Sequence, residues 1–239
     1  GIRCVGGALA VPGLVGPSTG TLFVAPNLHW FNADLPAVTE RLALPSTVPL
    51  TFENEANLGA LAELRYGAGR GLSSFVHVSG GWGIGAGIVL DGRLVRGGHG
   101  FAGELGHVLV DPRGERCACG ATGCLETIAG LGADADDTRV AEALAVALRD
   151  VVHLMDPEAI VLGGAFAERG DGLATAVADR LLATTLGARW SPVAVHRSLL
   201  GRDAAVLGAA STALDAVLAD PSVVPSLPIV RAPETTRTA

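Results

Sequence analysis

CACGATGCLE, residues Cys117 to Glu126, holds three of the chain's four cysteines within eight positions, with Gly120 and Gly123 between them. A disulfide framework suits small secreted chains that cannot build a core. Here 239 residues, 49 % of them hydrophobic, supply an ample one. Cys-x-Cys also cannot close on itself without strain. A metal knuckle is the favoured reading: thiolates at Cys117, Cys119 and Cys124 offer three soft ligands, the glycines permit the tight turn, and one imidazole completes a tetrahedral zinc shell. His107, in "GELGH", is the nearest candidate. The competing reading packs the thiols as small hydrophobes, which is how Cys4 is read.

Four protein ligands close the site, so zinc is expected as a structural clamp and not as a Lewis acid. It would tie the "GELGH" loop to the "CLE" loop and so gather Glu104, His107 and Glu126 around one cavity. Carboxylates and an imidazole converging on a pocket suit sugar hydroxyls, which both donate and accept hydrogen bonds. The plainer alternative leaves Glu104 and Glu126 as surface charges.

Outward from the knuckle, apolar patterning predicts an α/β chain. "CVGGALAVPGLV" reads as a strand broken at Pro12-Gly13, and "STGTLFVAPNLHW" as a turn, a strand and a polar loop tipped by Asn27, His29 and Trp30. Asp34 is placed as the cap of a short helix through Leu42, followed by a strand ending at Asn54 and a helix from Glu55 to Tyr66. "SSFVHVS" is a strand, "GGWGIGAG" a glycine loop, and "IVLDGRLV" a hairpin about Asp91-Gly92. Further on come a helix from Arg139 to Met155, the buried strand "AIVLGG", a helix from Asp171, the "PVAVH" segment and a last helix from Arg202 to Leu218.

Composition narrows the chemistry. All 17 cations are arginine and there is no lysine, which removes the Walker phosphate loop and Schiff-base mechanisms. A net charge of −7 without a basic stripe argues against this portion gripping a phosphate backbone. No signal peptide or bilayer-length apolar run is visible, so a cytoplasmic location is expected and no membrane partner. The chain starts at Gly1 and is expected to be a piece of something longer.

"GGWGIGAG" fits the spacing of a dinucleotide fingerprint, but that motif must open a helix, and a hairpin follows here. The loop either turns free N–H groups toward an anion or makes a tight bend.

"GWGIGAGIVLDGRLVRGGHGFAGELGHV", then "CACGATGCLE", then "DPEAIVLGG", resembles the ROK family of repressors, open reading frames and sugar kinases over most of the chain. The resemblance implies an actin-like, ribonuclease-H-like α/β fold of two lobes with the sugar in the cleft between them. It implies zinc on His107, Cys117, Cys119 and Cys124, and sugar contacts from Asn54, Glu55, Glu104, His107 and Glu126, with His107 using one ring nitrogen for each partner. The expected organisation is a small lobe over residues 1–70, a large lobe with the knuckle over 71–201, a closing helix over 202–220 and a loose tail over 221–239.

Within the family, the kinases carry an aspartate base after the asparagine, where this chain has Glu55. They also open on an Asp-x-Gly-x-Thr phosphate loop that nothing before Ile2 matches, and they more usually offer a threonine where this glycine loop reads Gly-Ile-Gly. The resemblance is therefore closest to the sugar-responsive regulators of actinobacterial type, with "NEAN" and "FAGELGHV". It implies a monosaccharide or sugar-phosphate effector, a homodimer or dimer of dimers, and DNA contact only through a winged helix-turn-helix absent from this chain. The rival expectation is an ATP- and Mg2+-dependent sugar kinase with Glu55 as general base and the nucleotide near Gly83, Gly85, Gly163 and Gly164. Family members also carry a longer stretch after "CLE" than the "TIAGLGADADD" found here.

Overall fold

The computed structural model describes residues 6–16, 19–40 and 48–223. The first half runs β1 (Gly7–Val11), β2 (Leu14–Val15), β3 (Thr21–Ala25), β4 (Trp30–Asp34), α1 (Leu35–Thr39), β5 (Leu50–Asn54) and α2 (Glu55–Tyr66). Parallel β1 and β5 form one small sheet, and β2, β3 and β4 an antiparallel one. Leu22, Leu35 and Phe52 share a small apolar core with Val15 and Ala25.

The second half builds a five-stranded sheet from β6 (Phe75–Gly80), β7 (Ile84–Leu90), β8 (Arg93–Val95), β9 (Ala159–Gly164) and β10 (Ala194–Arg197), in the order β10-β9-β6-β7-β8. The two central strands β6 and β9 are parallel and almost wholly buried, which explains their largely apolar sequences, interrupted in β6 by His77 and Ser79. The helices are α3 (Glu126–Ala129), α4 (Asp137–Met155), α5 (Ala165–Glu168), α6 (Asp171–Thr184) and α7 (Ala204–Ala219). Val140, Leu144 and Leu148 of α4 meet Leu173, Val177 and Leu181 of α6 in the main core over the sheet. Helix α2 packs on β7 and against α7.

Several predicted features stand as read. The β7–β8 hairpin turns on Asp91 and Gly92, at φ 49° and 70°, the paired positive angles that a two-residue turn of this hand requires. Helix α2 occupies the expected residues, capped by Asn54, whose side chain accepts from the Ala56 and Asn57 N–H groups. Helix α4 starts two residues early, because Asp136 supplies the cap by accepting from Arg139 N.

Other features differ. Asn27 lies in a single 3-10 turn, Pro26–Leu28, and Trp30 begins the strand β4, whose side chains are largely exposed and lack an alternating pattern. The glycine loop is confined to residues 81–83, while Gly85 and Gly87 are inside β7. A Cβ on Gly87 would lie 2.4 Å from the Ala56 carbonyl oxygen, so these glycines let α2 seat on the strand. Asp34 Oδ1 does accept from Ala37 N, but α1 ends at Thr39, and the predicted extension to Leu42 lies outside the described residues, as do Cys4 and the tail from 224. The last helix begins at Ala204, after a 3-10 turn over Gly201–Asp203. Among the described residues no helix is long and apolar enough to cross a membrane.

Candidate functional site

The knuckle is a small zipped hairpin. Isolated bridges pair Leu109 with Cys124 and Arg116 with Thr122, Cys117 N donates to Ala121 O, and Gly120 N donates back to Cys117 O. Gly120 and Gly123 take φ of 96° and 76°, a left-handed backbone that suits the tight turn expected of them. The donor atoms of His107, Cys117, Cys119 and Cys124 all lie within 4.8 Å of one another. Cys119 Sγ stands 3.8 Å from Cys124 Sγ, and Cys117 Sγ stands 3.7 Å from His107 Nδ1. A tetrahedron with zinc–sulfur bonds of about 2.3 Å has edges of about 3.8 Å, whereas a disulfide closes to about 2 Å. The three sulfurs and one nitrogen therefore fit a structural zinc. Burial pushes the Cys124 thiol up to about 12, so a metal ion entering the site displaces its proton.

With Nδ1 turned to the cysteines, His107 presents Nε2 to Glu104, 3.9 Å from Oε2. Glu104 sits just before the 3-10 turn Leu105–His107. Burial holds its carboxyl above the usual range, the nearby His107 draws it back, and Glu126 raises it again. Glu126 opens α3 and is pinned by the strand: Ile84 N donates to Oε2 at 3.0 Å. The structure thus brings Glu104, His107 and Glu126 together, with the start of β7 as their common support. Ala86 N donates to Gly103 O at 2.7 Å, and Gly106 approaches so closely that a Cβ would sit 2.3 Å from Ile84 O.

Asn54 and Glu55 stand at the start of α2, the helix that seats on the same strand through Ala56 against Gly85. Asn54 gives its amide oxygen to the helix cap and one N–H to Gly13 O at 3.0 Å, which fixes the helix end to the β1–β2 turn. Glu53 reinforces the arrangement by accepting from Asn54 N, Asn57 Nδ2 and Arg96 Nε. Glu55 is half-buried, and burial alone raises its carboxyl above the ordinary glutamate range. The folded protein then holds this proton more tightly than the unfolded chain, so the carboxylate costs stability once pH rises above the unfolded value. Glu55→Gln should stabilise the protein at pH 8, and that gain over wild type should vanish below pH ~4.5 in paired urea titrations.

The glycines expected near a nucleotide have tight neighbours. A Cβ on Gly83 would lie 2.9 Å from both Asn27 Nδ2 and Glu126 Oε2. Gly163 abuts His77, a buried imidazole of β6 whose ring nitrogens have no partner among the described residues and which burial draws down to about 4. A Cβ on Gly164, at φ 57°, would lie 2.2 Å from the Gly80 carbonyl oxygen at the sheet's carboxyl edge.

Sequence reading missed two members of this neighbourhood, the Ile84 N–H and Asn27, whose Nδ2 donates to Glu126 Oε1 at 3.1 Å. The tip position of Asn27 was visible, but its partner, 99 residues away, was not. Asn27, Trp82 and Glu126 line a cavity of about 730 Å³ that extends along α3 to the knuckle, whereas Glu104 and His107, expected around the same cavity, and Asn54 and Glu55 are not in its lining. That size falls within the usual range for small-molecule sites.

The ROK family model matches residues 3–134 and 131–216. A xylose repressor of Caldicellulosiruptor bescii is 40 % identical over 125 residues, 52 % of this chain and 31 % of the repressor. A glucokinase of Halalkalibacterium halodurans is 30 % identical over 248 aligned positions, covering 85 % of this chain and 74 % of the kinase. Among solved structures, a ROK family glucokinase from Streptomyces griseus in complex with glucose and AMPPNP superposes with a TM-score of 0.78 at 27 % identity, covering 86 % of this chain and 80 % of that one. A ROK family transcriptional regulator, a homologue of the E. coli MLC protein, gives 0.72 at 28 % identity and covers 85 % and 60 %. The chain therefore spans about a third of the repressor it matches and about three quarters of the kinase.

Proposed function

The chain belongs to the ROK family with its actin-like fold, and on that premise we propose that it is the sugar-sensing body of a transcriptional regulator whose DNA-binding winged helix-turn-helix lies outside this chain. Asn54, Glu55, Glu104, His107 and Glu126 hold a monosaccharide or sugar phosphate, and zinc on His107, Cys117, Cys119 and Cys124 keeps two of the contributing loops in register. The small lobe is residues 1–70, the large lobe 71–201, and α7 the closing element that returns to the small lobe. Sugar binding favours one lobe closure, and a dimer passes that preference to the DNA-binding heads.

The observation that carries this reading is Glu55 at the first position of a rigidly capped helix. Asn54 fixes the helix end through three hydrogen bonds, so backbone movement does not absorb the extra methylene of a glutamate. A base displaced by about 1 Å loses on the order of a hundredfold in rate, whereas binding tolerates the change better. The 40 % identity to the xylose repressor over the matched half supports the same side.

The longer alignment with the glucokinase favours a second reading, an ATP- and Mg2+-dependent sugar kinase with Glu55 as base and the nucleotide near Gly83, Gly85, Gly163 and Gly164. A coupled assay of the full-length protein with ATP, Mg2+ and a panel of hexoses and pentoses separates the two. The sensor reading expects a sugar-dependent thermal shift without turnover above background. Robust turnover would overturn it.

A further inference from the structure

The candidate sugar set is rich in acceptors and poor in donors. Glu55, Glu104 and Glu126 bring six carboxylate oxygens. Against them stand one N–H of Asn54, whose other amide functions are taken by the helix cap and by Gly13 O, and His107 Nε2, since Nδ1 faces the cysteines. A sugar hydroxyl donates one hydrogen bond and also accepts, so a site of carboxylates alone leaves hydroxyl lone pairs unmatched.

The turn between β3 and β4 supplies a further donor. Asn27 Nδ2 donates to Glu126 Oε1 at 3.1 Å, and its second N–H and carbonyl oxygen have no partner among the described residues. The contact is accommodated by the opposing backbone: Gly83 leaves open the space where a Cβ would meet both Asn27 Nδ2 and Glu126 Oε2 at 2.9 Å. Glu126 retains free lone pairs on both oxygens after accepting from Asn27 and Ile84, so a hydroxyl joins the pair without displacing either.

We propose that Asn27 is a further sugar-recognition residue, whose amide donates to the same hydroxyl whose proton Glu126 accepts. The inference rests on the sugar-binding reading above. It also gives the β2–β4 sheet a direct hold on the ligand, because β3 and β4 carry the turn on which Asn27 sits. A filled site then anchors that sheet to α3 through the hydroxyl as well as through Glu126.

The test is calorimetric titration of the full chain with hexoses, pentoses and N-acetylhexosamines, carrying forward the sugar that wild type binds most tightly and its monodeoxy analogues. Asn27→Ala should bind that sugar about tenfold more weakly. Its ligand-free melting temperature should be unchanged, since Asn27 is exposed. Asn27→Asp, which swaps the donor for a second carboxylate beside Glu126, should lose at least as much. One monodeoxy analogue, lacking the shared hydroxyl, should bind wild type and Asn27→Ala alike. Wild-type affinity in both variants would overturn the proposal and leave the sugar-binding reading standing. A wild-type protein that binds nothing in the panel would remove both.

Discussion

Cys124→Ser protein is expected to purify without stoichiometric zinc and to bind sugar on the order of a hundredfold more weakly than wild type. A serine hydroxyl is not deprotonated near neutral pH and cannot replace a thiolate ligand. The loss does not stop at the metal. His107 Nδ1 stands 3.7 Å from Cys117 Sγ, so the ring that turns Nε2 toward Glu104 is oriented from its metal side. Cys124 lies two residues before Glu126, and its isolated bridge to Leu109 ties the segment that follows "GELGH" to the "CLE" segment. Releasing one ligand therefore loosens two of the proposed sugar contacts, His107 and Glu126. The main core should survive, because Leu125 is fully buried and its N–H is held by Val108 O independently of the sulfurs. Elemental analysis beside titration calorimetry checks both halves, and a variant with full zinc content or wild-type affinity would contradict the expectation.

Gly103→Ala should cost about 3 kcal/mol or more in urea unfolding, although it adds only one methyl group. Gly103 has φ +101°, a backbone that L side chains rarely adopt, and its Cβ would fall 1.9 Å from the Ala86 carbonyl oxygen. Nothing flexible is available to move, since the obstacle is the backbone of β7. The same residue accepts a 2.7 Å hydrogen bond from Ala86 N, so relieving the clash breaks a sheet-edge bond as well. Glu104 follows directly in the chain, and sugar affinity should fall together with stability. A variant within 1 kcal/mol of wild type would show that β7 does not fix this loop.

The parts of this structure that were legible in the sequence are those whose cause is local. Asp91-Gly92 requires positive φ at both positions and is followed by an apolar arm, so the hairpin can be read from four residues. Asn54 before Glu55, with Gly67 after Tyr66, marks both ends of α2. The sulfur spacing and the nearby His107 foretell the donor cluster, because its members lie within 18 residues, from 107 to 124.

What escaped was set by distant partners. Trp30 to Asp34 becomes a strand because β3 pairs with it, with Val24 opposite Phe31 and Leu22 opposite Ala33, although its own pattern reads as loop. Gly85 and Gly87 look like a flexible loop in sequence, yet they serve as the seat for Ala56 and Ala60 of α2. The Asn27–Glu126 contact joins residues 99 apart, and neither a propensity nor a period signals it. The Glu126 carboxylate was identified from its motif, but the Ile84 N–H that holds it is a backbone group without a sequence signature.

On the proposed reading a metal ion, by holding the knuckle together, aims Glu104, His107 and Glu126 at a carbohydrate. The most direct test of that reading is one titration series on the full protein: sugar binding as purified, after zinc removal with a strong chelator, and after zinc is returned. One zinc per chain, loss of binding on removal and recovery on return are expected. A zinc-free protein that binds sugar with undiminished affinity would contradict that reading.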